Sequence, residues 1–151
     1  MDTSRLLDLL TDTTRLHAIY VDRALARYGI HGGQGSLISA LDILGPCSQK
    51  ELADFRRVSP ATTSVMLRRM EEKGLVLRLP AEEGGKRNQI SLTEKGQEIA
   101  ARLRDNFPLE AERILDNLSE EDLESAQRIF QTICANLAAH NAKTEKKTKI
   151  Y

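Results

Sequence analysis

The chain has 151 residues, 40% of them hydrophobic, enough for one sizeable core and too few for a second independent domain of comparable size. Its 22 Lys and Arg balance 22 Asp and Glu, so the net charge does not by itself point to a polyanionic partner. Cys47 and Cys134 lack C-x-x-C spacing and residues 1–23 hold no unbroken apolar run, which argues against a zinc site, a disulfide framework, a signal peptide or a membrane span and suits a reducing cytoplasm.

Leu6, Leu10, Thr13, His17, Tyr20, Ala24 and Tyr28 recur at steps of three and four, the signature of one face of a long first helix. The glycines of YGIHGGQGS are expected to break it, and Leu37, Ile38, Leu41 and Leu44 form the stripe of a second helix that Gly45-Pro46 stops. Ser48 with Glu51 makes a capping box for a third helix over 49–55. After the turn Arg56-Arg57-Val58, Ser59 caps a fourth helix, with Pro60 at its first position, that runs to Lys73 and ends at Gly74.

Residues 75–79 and 88–92 alternate in character and flank PAEEGGKR, which predicts a two-stranded hairpin with a solvated tip. Thr93 caps a fifth helix lined by Ile99, Leu103 and Phe107, and Pro108 should kink or interrupt it. Ser119 and Asp122 open a sixth helix with its stripe at Leu123, Ala126, Phe130, Ile133 and Leu137. The polar, basic residues 143–151 read as a frayed tail.

Two short helices joined by a tight turn and followed by a hairpin make a shape whose second helix can enter a major groove. The charge distribution suits that use. Residues 45–95 carry ten basic against seven acidic side chains, or +3, whereas residues 96–142 carry four against nine, or −5. A neutral protein with its positive groups gathered on one face still steers toward a polyanion. On the fourth helix Thr63, Met66, Leu67 and Met70 share the inner side, which leaves Ala61, Thr62, Ser64, Val65, Arg68 and Arg69 outward or flanking. Arginine donates two parallel hydrogen bonds to guanine, hydroxyls bond bases or phosphates, and Ala61 or Val65 can meet a thymine methyl. The candidate DNA-contacting set is Ser48, Gln49, Ser59, Pro60, Ala61, Thr62, Ser64, Val65, Arg68 and Arg69, with Lys86 and Arg87 at the hairpin tip.

The segment SQKELADFRRVSPATTSVMLRRMEEKGLVLRLP followed by ISLTEKG resembles the MarR family of bacterial transcription regulators. The match covers about half the chain and is specific in combination: capped helix, S-P-x-T helix, E-K-G-L-V strand entry and S-L-T-E-K-G exit stand in the family's order. The resemblance implies a mainly α fold with a small β-hairpin wing, a winged helix-turn-helix core flanked by N- and C-terminal dimerisation helices. It implies further a homodimer that presents paired recognition helices to a pseudo-palindromic operator in double-stranded DNA, with half-sites about one turn of the duplex apart. In that layout residues 1–30 and 96–142 dimerise and 34–95 bind DNA. The wing departs from the family pattern, since Gly84 and Lys86 stand where members commonly carry aspartate and arginine, and Arg87 is the neighbour placed to share the contact.

Repression of nearby genes, relieved by a small aromatic or phenolic effector, is the leading functional expectation; a protein-interaction module, or an activator without a ligand, is the alternative. His17, Tyr20, Tyr28 and His31 lie along or just beyond one face of the first helix, where such regulators hold an effector, although core or dimer packing explains the tyrosines as well. Cys47 and Cys134 read as small buried hydrophobes, and the first helix lacks the cysteine that the family's oxidant sensors place there. No glycine-rich phosphate loop, metal-ligand cluster or nucleophile elbow is present, so neither catalytic residues, metal, cofactor nor enzyme activity is expected.

Overall fold

Helices α1 (Thr3–Ala26) and α2 (Gly32–Leu44), strand β1 (Cys47–Ser48), helices α3 (Gln49–Arg56) and α4 (Pro60–Glu72), strands β2 (Val76–Leu79) and β3 (Gln89–Leu92), and helices α5 (Glu94–Ile114) and α6 (Glu120–Thr148) follow in that order in the computed structural model. It describes residues 3–80 and 88–148. The chain divides into two units, Met1–Asp105 and Asn106–Tyr151. The expected mainly α architecture with a small antiparallel sheet is the one observed.

In the first unit the centre of the core is assembled from Leu37, Ile38 and Leu41 of α2, Leu52 of α3, Leu67 and Met70 of α4, and Leu75 and Ile90 at the sheet, all fully buried. Burying each such side chain stabilises by about 1.5–3 kcal/mol, so the helix-turn-helix is fastened from behind by α2. The glycine run does not separate α1 from α2 as the sequence suggested. Only Gly29, at φ +67°, lies in the bend, while Gly32, Gly33 and Gly35 begin α2 itself. Their role is close approach: a Cβ on Gly35 would stand 2.6 Å from Leu25 Cδ1, and the Gly32 N–H donates to the Asp22 carboxylate at 2.6 Å.

Among the described residues the two expected strands pair and a third, β1, joins them, in the order β1-β3-β2. Cys47 pairs with Ile90 and Ser48 with Gln89, while β2 and β3 pair from Val76↔Leu92 to Leu79↔Gln89. A two-residue strand is too short to show alternation, which is why β1 could not be read in advance. At the base of the hairpin, Thr93 Oγ1 donates to the Gly74 carbonyl at 2.6 Å and accepts the Gly96 N–H at 3.1 Å, capping α5.

Helix α5 passes through Pro108 without interruption. The proline is exposed, so water can take the place of the hydrogen bond it deletes. In the second unit Ser119 Oγ donates to the Asp122 carboxylate at 2.5 Å and accepts the Asp122 N–H at 3.2 Å, the expected capping box. Helix α6 then continues to Thr148, past the limit of 142 set by the sequence reading, through Lys, Glu and Ala that favour helix. Among the described residues no helix is long and apolar enough to cross a membrane.

Candidate nucleic-acid interface

The helix-turn-helix is fixed by a cap at the start of each of its helices and by a bond across its turn. Ser48 accepts the Glu51 N–H at 3.2 Å while its own N–H and hydroxyl donate to the Glu51 carboxylate at 2.7 Å each. Those bonds, the hydroxyl's first and the amide's second, hold the Glu51 carboxyl below its ordinary range. Gln49 Nε2 donates to the Pro60 carbonyl at 3.4 Å, across the turn. The chain reverses at Arg57, a left-handed residue at φ 54°, ψ 40°. Ser59 Oγ then accepts the Thr62 N–H at 3.1 Å and shares a 2.8 Å bond with the Thr62 hydroxyl.

This places α4 with Thr63, Leu67 and Met70 buried beneath it and Met66 half-buried at the flank. Ala61, Thr62, Ser64, Val65, Arg68 and Arg69 are all exposed on the other side, together with Pro60 at the helix start. Glu71 pairs with Arg78 on β2 at 2.6 Å, not with a neighbouring arginine of its own helix. Among the described residues neither Arg68 nor Arg69 makes an ion pair. Two exposed guanidinium groups are therefore presented on the outer side of this helix. Ser48, Gln49 and Ser59 are half-buried, and their polar groups already serve the caps and the turn. Lys86, Arg87 and Gly84 lie outside the described residues.

The four residues considered for an effector are spread over the α1 side of the first unit. His17 is exposed, Tyr20 is half-buried, and Tyr28 packs against the core with the Arg27 guanidinium 4.9 Å from its ring centroid. His31 is exposed at the N-cap of α2, where its N–H donates to Gln34 Oε1 at 3.4 Å. None of the four lines the shallow, open pocket of about 380 Å³ bordered by Asp42, Pro46, Ser91, Gln97 and Arg104, where Arg104 and Asp42 pair at 2.9 Å.

Cys47 is buried as expected, and burial first, then the Glu51 charge, pushes its thiol up, away from the reactive thiolate. Cys134, expected to be buried, is exposed because its face of α6 is uncovered in a single chain. Among the described residues no group of three or more His, Cys, Asp or Glu is placed to hold a metal.

A capped helix, a tight turn, a second helix with a polar outer face, and a pair of antiparallel strands of which β3 is joined to the first helix's cap define a winged helix-turn-helix fold. Comparison with known proteins points the same way: the MarR family model matches residues 33–87, a segment that takes in all but the first residue of α2, the helix-turn-helix and β2. An HTH-type transcriptional regulator of Bacillus subtilis, YwoH, is 26% identical over 127 residues, 83% of this chain and 91% of that protein. Among solved structures, FabT of Streptococcus pneumoniae in complex with DNA is similar with a TM-score of 0.79 at 20% identity, over 90% of this chain and 97% of that one. MepR of S. aureus, also in complex with DNA, is similar with a TM-score of 0.75 at 22% identity, over 85% and 94%.

Proposed function

We propose that the chain is a sequence-specific DNA-binding transcriptional regulator that works as a homodimer, with α4 as its recognition helix. The observation that carries this reading is the outer face of α4, where Arg68 and Arg69 stand exposed, without an ion pair among the described residues, beside Thr62, Ser64 and Val65 on a helix pinned at its start by Ser59. A guanidinium so presented suits the paired acceptors of guanine, and each such pair discriminates by about 1–3 kcal/mol. Ser48, Gln49, Ser59 and Pro60 frame that face, and Lys86 and Arg87 complete the set as wing contacts. The DNA complexes of the similar FabT and MepR support the same use of the fold.

The homodimer is supported by apolar surface that a single chain leaves in water. Helix α1 exposes Leu6, Leu9, Leu16 and Ile19, and within the second unit α6 exposes Ile129, Phe130 and Leu137. A twofold copy that covers residues 1–30 and 96–142 removes this surface from solvent and sets two α4 helices against a pseudo-palindrome. Repression of neighbouring genes, with release by a small aromatic effector near His17, Tyr20, Tyr28 and His31, completes the proposal.

The test is fluorescence anisotropy of the full-length protein on duplexes drawn from its own upstream region. Expected is one duplex bound well above random sequence, with a steep salt dependence that weakens when Arg68 and Arg69 are replaced by alanine. Equal binding to all duplexes, or affinity unchanged in the double variant, would refute it, as would a protein that sediments as a single chain at micromolar concentration.

A further inference from the structure

The bend before α2 and its first turn, residues 29–34, grip α4 at two points that DNA contact alone does not require. At the C-terminal end of α4, Lys73 Nζ donates to the Gly29 carbonyl at 2.6 Å and to Gln34 Oε1 at 3.2 Å. Gln34 is 1% exposed, and the same oxygen accepts the His31 N–H. The Lys73 carbonyl is held in turn by Lys95 Nζ of α5 at 3.1 Å.

Halfway along α4, Met66 presses on Gly33 so closely that a Cβ there would stand 2.9 Å from Met66 Cε. Arg56 at the end of α3 closes this contact. One guanidinium nitrogen donates to the Gly33 carbonyl at 3.3 Å, a second lies 3.8 Å from Met66 Sδ, and the Nε is buried without a partner. The junction is itself tied to α1, through the Gly32 N–H and the Asp22 carboxylate.

We infer that Lys73 and Arg56 are positioning residues, locking α4 to residues 29–34 so that the α1–α2 junction sets the angle at which the recognition helix is presented. The inference rests on the reading that α4 contacts DNA. Lys73 is exposed, but its ammonium is engaged by two oxygens of residues 29–34, so its effect on affinity passes through the pose of α4 and not through a phosphate.

The two roles separate in the salt dependence of binding. Full-length K73M, K73R and R68A are titrated with the duplex that the unmodified protein selects from a random pool, well below the melting temperature of every variant. K73M is expected to bind about five-fold or more weakly with an unchanged slope of log affinity against log salt, in the range of coupling between linked sites. K73R, which keeps a donor, recovers most of the loss. R68A instead flattens the slope, by about one unit where its contact is to phosphate. Amide hydrogen exchange without DNA provides a second arm, in which residues 61–73 exchange faster in K73M than in the unmodified protein.

Binding by K73M equal to the unmodified protein while R68A fails would overturn the lock and leave the DNA reading standing. A slope that falls in K73M would overturn it in favour of direct phosphate contact. A protein that selects no duplex sinks the DNA reading itself, and the lock is then decided by exchange, where unchanged rates in α4 overturn it.

Discussion

Replacing Gly96 with alanine should be among the most damaging single-methyl changes available to this chain. A Cβ at that position lies far inside contact distance of the Leu75 carbonyl oxygen, and also 3.3 Å from the Leu75 carbonyl carbon and 3.2 Å from Leu92 Cδ2. The oxygen is backbone and cannot swing aside, because it accepts the Thr93 N–H at 3.1 Å where the sheet meets the cap of α5. Overpacking of this kind costs about 3 kcal/mol at the upper end of its usual range, and loss of the Thr93 bond adds about 1 kcal/mol. Alanine's better helix propensity returns about 1 kcal/mol. The net loss is about 3 kcal/mol, or a melting temperature lower by about 10 °C for a chain of this size.

Urea unfolding at one fixed protein concentration measures it, with G35A as the comparison. At Gly35 the obstruction is the end of the Leu25 side chain, 2.6 Å away, which can change rotamer. G35A should therefore lose no more than about half as much, since part of the overpacking cost relaxes. Equal midpoints for G96A and the unmodified protein, or a larger loss in G35A, would refute the reasoning.

Further outcomes follow from other parts of the molecule. R57G should raise stability by about 0.5–1 kcal/mol, because the left-handed conformation at φ 54° penalises a side chain more than glycine's freedom in the unfolded chain does; a lower melting temperature would refute it. The double variant R68A/R69A should reduce the salt slope of DNA binding by about two units if both arginines meet phosphates, and by less where one reads a base. Glu51 and Asp122 have carboxyls held low by the hydroxyl and amide of Ser48 and Ser119. A lowered folded-state pKa gives stability that is complete above the ordinary carboxyl value and disappears as the pH falls through the folded one. S48A removes the hydroxyl and keeps the backbone N–H, so it should raise Glu51 part of the way toward the ordinary glutamate range in an NMR titration, and an unchanged titration would show that the hydroxyl does not hold it.

The parts of this structure that could be read from sequence are those whose signal is local. Ser48 with Glu51, Ser59 with Pro60 and Ser119 with Asp122 each fix a helix start within four residues, and all three caps stand where the sequence puts them. The outer face of α4 was equally legible, because Thr63, Leu67 and Met70 mark the inner one. What escaped depends on contacts between distant residues. Gly33 and Gly35 look like helix breakers until Met66 and Leu25 are seen against them. Arg56 reads as one charge in a turn, and its place between Gly33 and Met66 has no trace in spacing. The exposure of Cys134 is of the same kind: periodicity says which side of α6 is apolar, not what covers it.

The pairing of Cys47 with Ile90 and of Ser48 with Gln89 makes the residue that starts α3 a rung of the sheet as well. The register is set below Leu79 and Gln89, so residues added or removed between Pro80 and Asn88 alter how far the hairpin extends and leave the seating of α3 and α4 undisturbed. Changes of length or charge between those two positions can therefore be made without renegotiating the pairing that seats the two helices.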